Sequence, residues 1–142
     1  MDILDMEILN CLKENSREKA SVISRKINLS VSALLERIRK MENQGVILGY
    51  TVKTNKKSLG LAMQAIMEVG LEHPSYFDHF AEMMNEMPEI ADCCYINGDF
   101  DFLIRLYARD PEDLERIHKT IKDFRGVGKT RIYTVLRNVK SE

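Results

Sequence analysis

Two short stretches carry residue types and spacings that could do chemistry. The first is a serine-led basic run, Ser30-Val31-Ser32-Ala33, continued by Glu36-Arg37 and Arg39-Lys40. Small or hydroxylated residues at a helix start can approach base edges, and flanking cationic groups suit phosphates, which together is what reading duplex DNA requires. The second is the turn Gly98-Asp99-Phe100-Asp101. Its glycine permits close approach and exposes amide groups for a carboxylate, while an aspartate can receive an ammonium group. Elsewhere the signals are bland. Cys11, Cys93 and Cys94 are an odd count without C-x-x-C spacing, and read as reduced packing residues. His73, His79 and His118 show no ligand spacing, so no metal site, no catalytic constellation and no cofactor are expected.

The elements that position the first stretch follow from periodicity. Leu4, Ile8, Leu9 and Leu12 recur at helical intervals within Asp2 to Glu14, with Asp2 and Asp5 suited to the positive end of the helix dipole. A short segment from Ala20 to Lys26 comes next, then a bend at Asn28, a residue that tolerates the left-handed backbone. Ser30 is placed to cap a longer helix over Val31 to Asn43. On that helix the spacing predicts an apolar stripe of Val31, Leu34, Leu35, Ile38 and Met41. Ser32, Ala33, Glu36, Lys40 and Asn43 are expected to point away, with Arg37 and Arg39 at the edges. Gly45 stops the helix, and Val46 to Lys53 reads as a small two-stranded wing. Two helices joined by a tight turn, the second amphipathic and basic, are the outline of a helix-turn-helix.

The second stretch lies in a half of different character. Residues 1–60 carry 11 Lys and Arg against 7 Asp and Glu, whereas residues 61–142 carry 10 against 15. Opposite net charges imply two jobs, and residues 30–57, with 6 basic against 2 acidic groups, form the electrostatic footprint for nucleic acid, Lys53 included. An offset of 37 residues relates Pro74, Phe77, Phe80, Met84, Met87 and Ile90 to Pro111, Leu114, Ile117, Ile121, Phe124 and Val127. Each copy reads strand, helix, strand, with Pro opening the helix. The fold class is therefore α+β, a winged helix-turn-helix over residues 1–53, a linker over 54–60, and a ferredoxin-like βαββαβ domain over 61–142. The strands are so apolar that the sheet's open face is expected to be covered by a second subunit. No apolar run reaches the length of a membrane helix, and the acidic start is unlike a secretory signal, so a cytoplasmic protein is expected.

These residues resemble the Lrp/AsnC, or feast/famine, family of prokaryotic transcription regulators. Asp2 to Leu9 is similar to the family's opening, Leu29 to Glu42 to its recognition helix, and Gln44 to Tyr50 to the start of its wing. Asn55 to Gly60 resembles the N-x-x-x-L-G linker, Gly98 to Asp101 the G-D-x-D turn, and Gly126 to Thr130 the G-V-x-x-T of the last hairpin. The resemblance implies a regulator of double-stranded DNA, a nucleoid protein rather than an enzyme, assembled as a homodimer or as an octamer. It also implies a small effector, usually an amino acid, held between subunits by Gly98, Asp99 and Asp101, with Tyr95 and Thr134 beside them. Arg125 stands where the family usually has Pro, and Ile132 where Thr or Ser is common, departures that imply a pocket for an apolar ligand, for a different one, or for none. Two alternatives stand beside this reading: an architectural protein that wraps DNA without an effector, and an enzyme like the relatives that decarboxylate tetrapyrroles.

Overall fold

Asp2 and Asp5 start the chain's first helix by exchanging hydrogen bonds, each carboxylate accepting from the other's backbone N–H at 2.9 Å. This helix, α1 (Ile3–Glu14), is followed by α2 (Ala20–Lys26) and α3 (Val31–Asn43) in the computed structural model, which describes residues 1–140. Asn28 adopts φ 53°, the left-handed bend expected of it, and Leu29 N–H donates to the Ser24 carbonyl at 2.9 Å to close the α2–α3 turn. Ile8, Ile23, Ile27, Leu34 and Met41 meet in one buried cluster. Each such side chain contributes roughly 1.5–3 kcal/mol when withdrawn from water, which is what holds three short helices together.

Two features of this unit depart from expectation. Val31 and Leu35 stand outside the core, 40% and 47% exposed, because the core lies on the Leu34, Ile38 and Met41 side of α3. The wing strands are also absent. The N–H groups of Val46 and Ile47 both donate to the Met41 carbonyl, at 2.9 and 3.2 Å, and so finish the helix instead of opening a ladder. Beyond them Leu48 and Val52 are 94% and 78% exposed, and the Tyr50 hydroxyl donates to Glu42 of α3 at 2.9 Å.

Chain contacts divide the protein into Met1–Lys53 and a second unit from Thr54 onward. The latter opens with a 3₁₀ turn at Lys57–Leu59, and Lys56 lies over the Tyr107 ring at 5.2 Å. It then runs β1 (Met63–Leu71), a 3₁₀ turn (Pro74–Tyr76), α4 (Phe77–Glu86), β2 (Ile90–Tyr95), β3 (Phe102–Ala108), α5 (Pro111–Lys122) and β4 (Val127–Thr134). The sheet order is β2-β3-β1-β4 with every neighbouring pair antiparallel, the ferredoxin-like arrangement. Ala65, Met67 and Val69 of β1, Phe102, Ile104 and Leu106 of β3, and Phe80, Ile117 and Ile121 of the helices form its core. Ile132 pairs with Met67 and packs against that same core, so it does not line an open site.

One buried charge fastens the start of α5. The Asp113 side chain is 5% exposed and accepts from Arg109 N–H at 3.0 Å, from the Arg109 guanidinium and from Arg116 at 2.9 Å. Arg109 first, then Arg116, holds its carboxyl well below the usual carboxylate range. Arg116 reaches on to Glu89 at 2.8 Å, tying the approach to β2 to the helix.

Candidate functional site

The exposed face of α3 is built from its first residue. Ser30 is the N-cap, its Oγ accepting from Ala33 N–H at 3.2 Å, and the Ser30 and Ser32 hydroxyls lie 3.2 Å apart. With about 100° between successive residues, the core side of α3 fixes its opposite side. Ser32, Glu36, Arg39 and Asn43 occupy the centre of the outward face, with Lys40 exposed beside them and Ala33 half-buried at the margin. Arg39 is thus central rather than at an edge. Lys53 is exposed at the end of the unit.

Arg37 is placed differently from its neighbours. Its guanidinium donates to Asp2 at 2.7 Å and to Asp5 at 2.8 Å, bridging α3 to the cap of α1. Those bonds raise its pKa, while the mutual backbone hydrogen bonds of the aspartates, and then Arg37, hold both carboxyls below their ordinary value. Sequence spacing puts Arg37 among phosphate contacts; its geometry makes it a strut with its charge already neutralised.

In the second unit the Gly98–Asp101 turn is closed by Ile96 N–H donating to the Asp101 carbonyl at 2.8 Å. Gly98 has φ 146°, outside the range that side-chain-bearing residues favour, and has open space around it. Asp101 is not a free acceptor. Its N–H donates to the Val69 carbonyl at 2.9 Å and its carboxylate accepts from Leu71 N–H at 2.7 Å, which pins the turn to the end of β1. Asp99 is exposed. Phe100 is buried beneath two cations, Lys129 at 4.5 Å and Arg131 at 5.1 Å from its ring centre.

Beside the turn lies a cavity of about 290 Å³ lined by Leu71, Pro74, Phe77, Tyr95 and Asp101. Tyr95 stands edge-on to Phe77, ring centres 5.0 Å apart, and leans on Phe102 at 5.5 Å. Leu71, Pro74 and Phe77 escape a motif-based reading. Their signal is topological: the end of β1 and the start of α4 lie at the end of the sheet where β3 begins. Thr134 is not brought to this site. It pairs with Ala65, whereas Thr130 pairs with Val69, so the antiparallel run of β4 carries Thr134 toward the far end of the sheet.

The open face of the sheet carries Gln64, Ile66 and Glu68 from β1, Leu103, Arg105 and Tyr107 from β3, and Arg131 and Tyr133 from β4. Arg105 pairs with Asp92 at 3.4 Å, and Glu68 accepts from the Tyr133 hydroxyl at 3.2 Å with Arg131 3.7 Å away. Ala65, Met67 and Val69 of β1 face the helices while Ile66 lies among Gln64, Glu68 and Arg105, so the open face is mixed rather than uniformly apolar. All three cysteines are free, and Cys93 and Cys94 are exposed rather than the packing residues that their spacing suggested. Among the described residues no cluster of His, Cys, Asp or Glu is arranged to hold a metal ion, and no helix is long and apolar enough to cross a membrane.

The Lrp/AsnC ligand binding domain family matches residues 64–142, and a winged helix-turn-helix DNA-binding family matches residues 1–47. The chain is similar to the leucine-responsive regulatory protein of Haemophilus influenzae, 33% identical over 99% of this chain and 86% of that protein. The protein of the same name from Escherichia coli K12 is 32% identical over 99% and 87%. Among solved structures, a Neisseria meningitidis transcriptional regulator in complex with L-methionine superposes with a TM-score of 0.94 at 26% identity, covering 99% of this chain and 93% of that one.

Proposed function

The chain belongs to the Lrp/AsnC family of DNA-binding transcriptional regulators, and from that premise we propose which of its surfaces read DNA, pair chains and sense an effector. Duplex DNA is met by the outward face of α3. Ser30, Ser32 and Glu36 face base edges, with Ala33 allowing close approach, while Arg39 and Lys40, and Lys53 beyond the helix, meet phosphates. The observation that carries this is the placement of Arg39: exposed, and beside Ser32 and Glu36 on the side of α3 opposite the core.

Two chains pair through the open sheet face, where Ile66, Leu103 and Tyr133 supply apolar area and the Arg105–Asp92 and Arg131–Glu68 pairs keep the charges balanced. Pairing sets two α3 helices roughly 34 Å apart, one turn of DNA, on an imperfect palindrome. The effector is an amino acid with an apolar side chain, the class to which the methionine bound by the Neisseria relative belongs. The amides of the Gly98–Asp99 turn face its carboxylate, Asp99 its ammonium group, and the cavity between Leu71, Pro74, Phe77 and Tyr95 its side chain. Asp101 acts by holding the turn against β1.

Two measurements test the reading. Binding of a selected operator across a salt series should show Arg39→Ala lowering both affinity and the salt slope, the latter by about one; unchanged values would take α3 out of the groove. A thermal-shift screen of the twenty amino acids should raise Tm for apolar ones such as L-methionine and L-leucine, an effect Asp99→Ala removes. A flat screen would leave the alternative of an effector-free, DNA-wrapping protein, which equal affinity for operator and unrelated duplex would then support.

A further inference from the structure

The outward side of α3 carries two parallel rows of residues. Val31, Leu35 and Arg39 follow one another at intervals of four, and so do Ser32, Glu36 and Lys40. The second row is what a solvated or DNA-facing helix side is expected to hold. The first is not, since its leading members are branched aliphatics 40% and 47% exposed on a helix with a sufficient core in Leu34, Ile38 and Met41. Neither Val31 nor Leu35 belongs to the cluster that holds the three helices together. They occupy the first two turns, next to the Ser30 and Ser32 hydroxyls, where a groove-inserted helix comes nearest to base edges.

The major-groove edges offer such side chains one apolar group of any size, the 5-methyl group of thymine, set among hydrogen-bond donors and acceptors. An aliphatic group set against a donor or acceptor would strip its water and return no hydrogen bond, so the same residues that favour thymine also penalise the other bases. We infer that Val31 and Leu35 read thymine methyl groups, and that the operator carries A·T pairs, with thymine on the strand facing this row, beneath the first two turns of α3. The inference rests on α3 being the DNA-contacting helix and adds which bases it selects.

Replacing thymine by uracil removes the methyl and leaves the Watson–Crick pair intact, so it isolates the contact. The full-length protein is used to select duplexes from a random-sequence pool, and a selected operator is then scanned with single dT→dU replacements. At one or two positions in each half-site affinity should fall about fourfold, the worth of withdrawing one methyl-sized group from water, and other positions should not respond. Leu35→Ala and Leu35→Gln, at a half-exposed site and with Tm checked, should bind the dT and dU duplexes equally at one of the responsive positions, the one that Leu35 reads. No dT/dU discrimination by the wild type, or discrimination that persists at every responsive position in both Leu35 variants, would overturn the proposal. Failure of the underlying reading looks different: Ser32→Ala and Arg39→Ala would then leave affinity and salt slope unchanged.

Discussion

Arg37 and Arg39 lie two residues apart in α3 and take opposite roles, because successive helical residues diverge by about 100° and two steps carry a side chain to the far side of the axis. Arg37 turns toward α1 and its two carboxylates, Arg39 toward solvent. Arg37→Ala is therefore expected to lower the Tm of the first unit, leaving Asp2 and Asp5 as unpaired like charges, while the salt slope of DNA binding stays near the wild-type value. A slope reduced as far as in Arg39→Ala would restore Arg37 as a phosphate contact. Asp113 makes a second prediction at this scale. Its carboxyl titrates below the unfolded value of about 3.9, so the folded state binds its proton more weakly and the stabilisation is fully present above that pH. It is lost as pH falls from there through the depressed value. Asp113→Asn should lower Tm at pH 7, and the gap to wild type should begin to narrow below about pH 4 and keep narrowing as pH falls further; a gap independent of pH would mean that the charge contributes nothing.

At the scale of elements, the approach to β4 is locked against the turn that opens α4. Gly126 has φ 94°, and a Cβ built on it would lie 2.2 Å from Cγ of Tyr76, so a ring root and a left-handed backbone both demand glycine there. The Gly126 carbonyl also accepts from Glu72 N–H at 2.8 Å. Gly126→Ala should therefore destabilise the second unit by about 2 kcal/mol or more in chemical denaturation, and an unperturbed midpoint would show the interlock to be loose. This contact lies at the start of α4, near Pro74 and Phe77 of the cavity. The variant is accordingly expected to weaken any thermal shift produced by amino acids as well.

For the whole molecule, the question is what covers the open sheet face. A mixed surface with internally paired charges can meet a copy of itself without stranding a charge, whereas a like-charged surface could not. Ile66→Glu combined with Leu103→Glu should shift the protein toward monomer in analytical ultracentrifugation and weaken operator binding by removing the second half-site contact. A sedimentation coefficient equal to wild type would place the pairing surface elsewhere. Much of this architecture is legible in the sequence. The limits of α2 and α3, the bend at Asn28, the Ser30 cap, the proline-opened repeat and the glycine-aspartate turn all depend on residues within a turn or two of one another, and such local preferences survive any tertiary context. The partners of Arg37 stand 32 and 35 residues away, and those of Asp101 about 30. Packing alone decided that Arg37 is a strut, that Asp101 is an anchor, that Thr134 lies far from the turn, and that Val31 and Leu35 stand outside the core. Periodicity determines that a helix has two sides; only the position of the helices packed on it determines which side faces in.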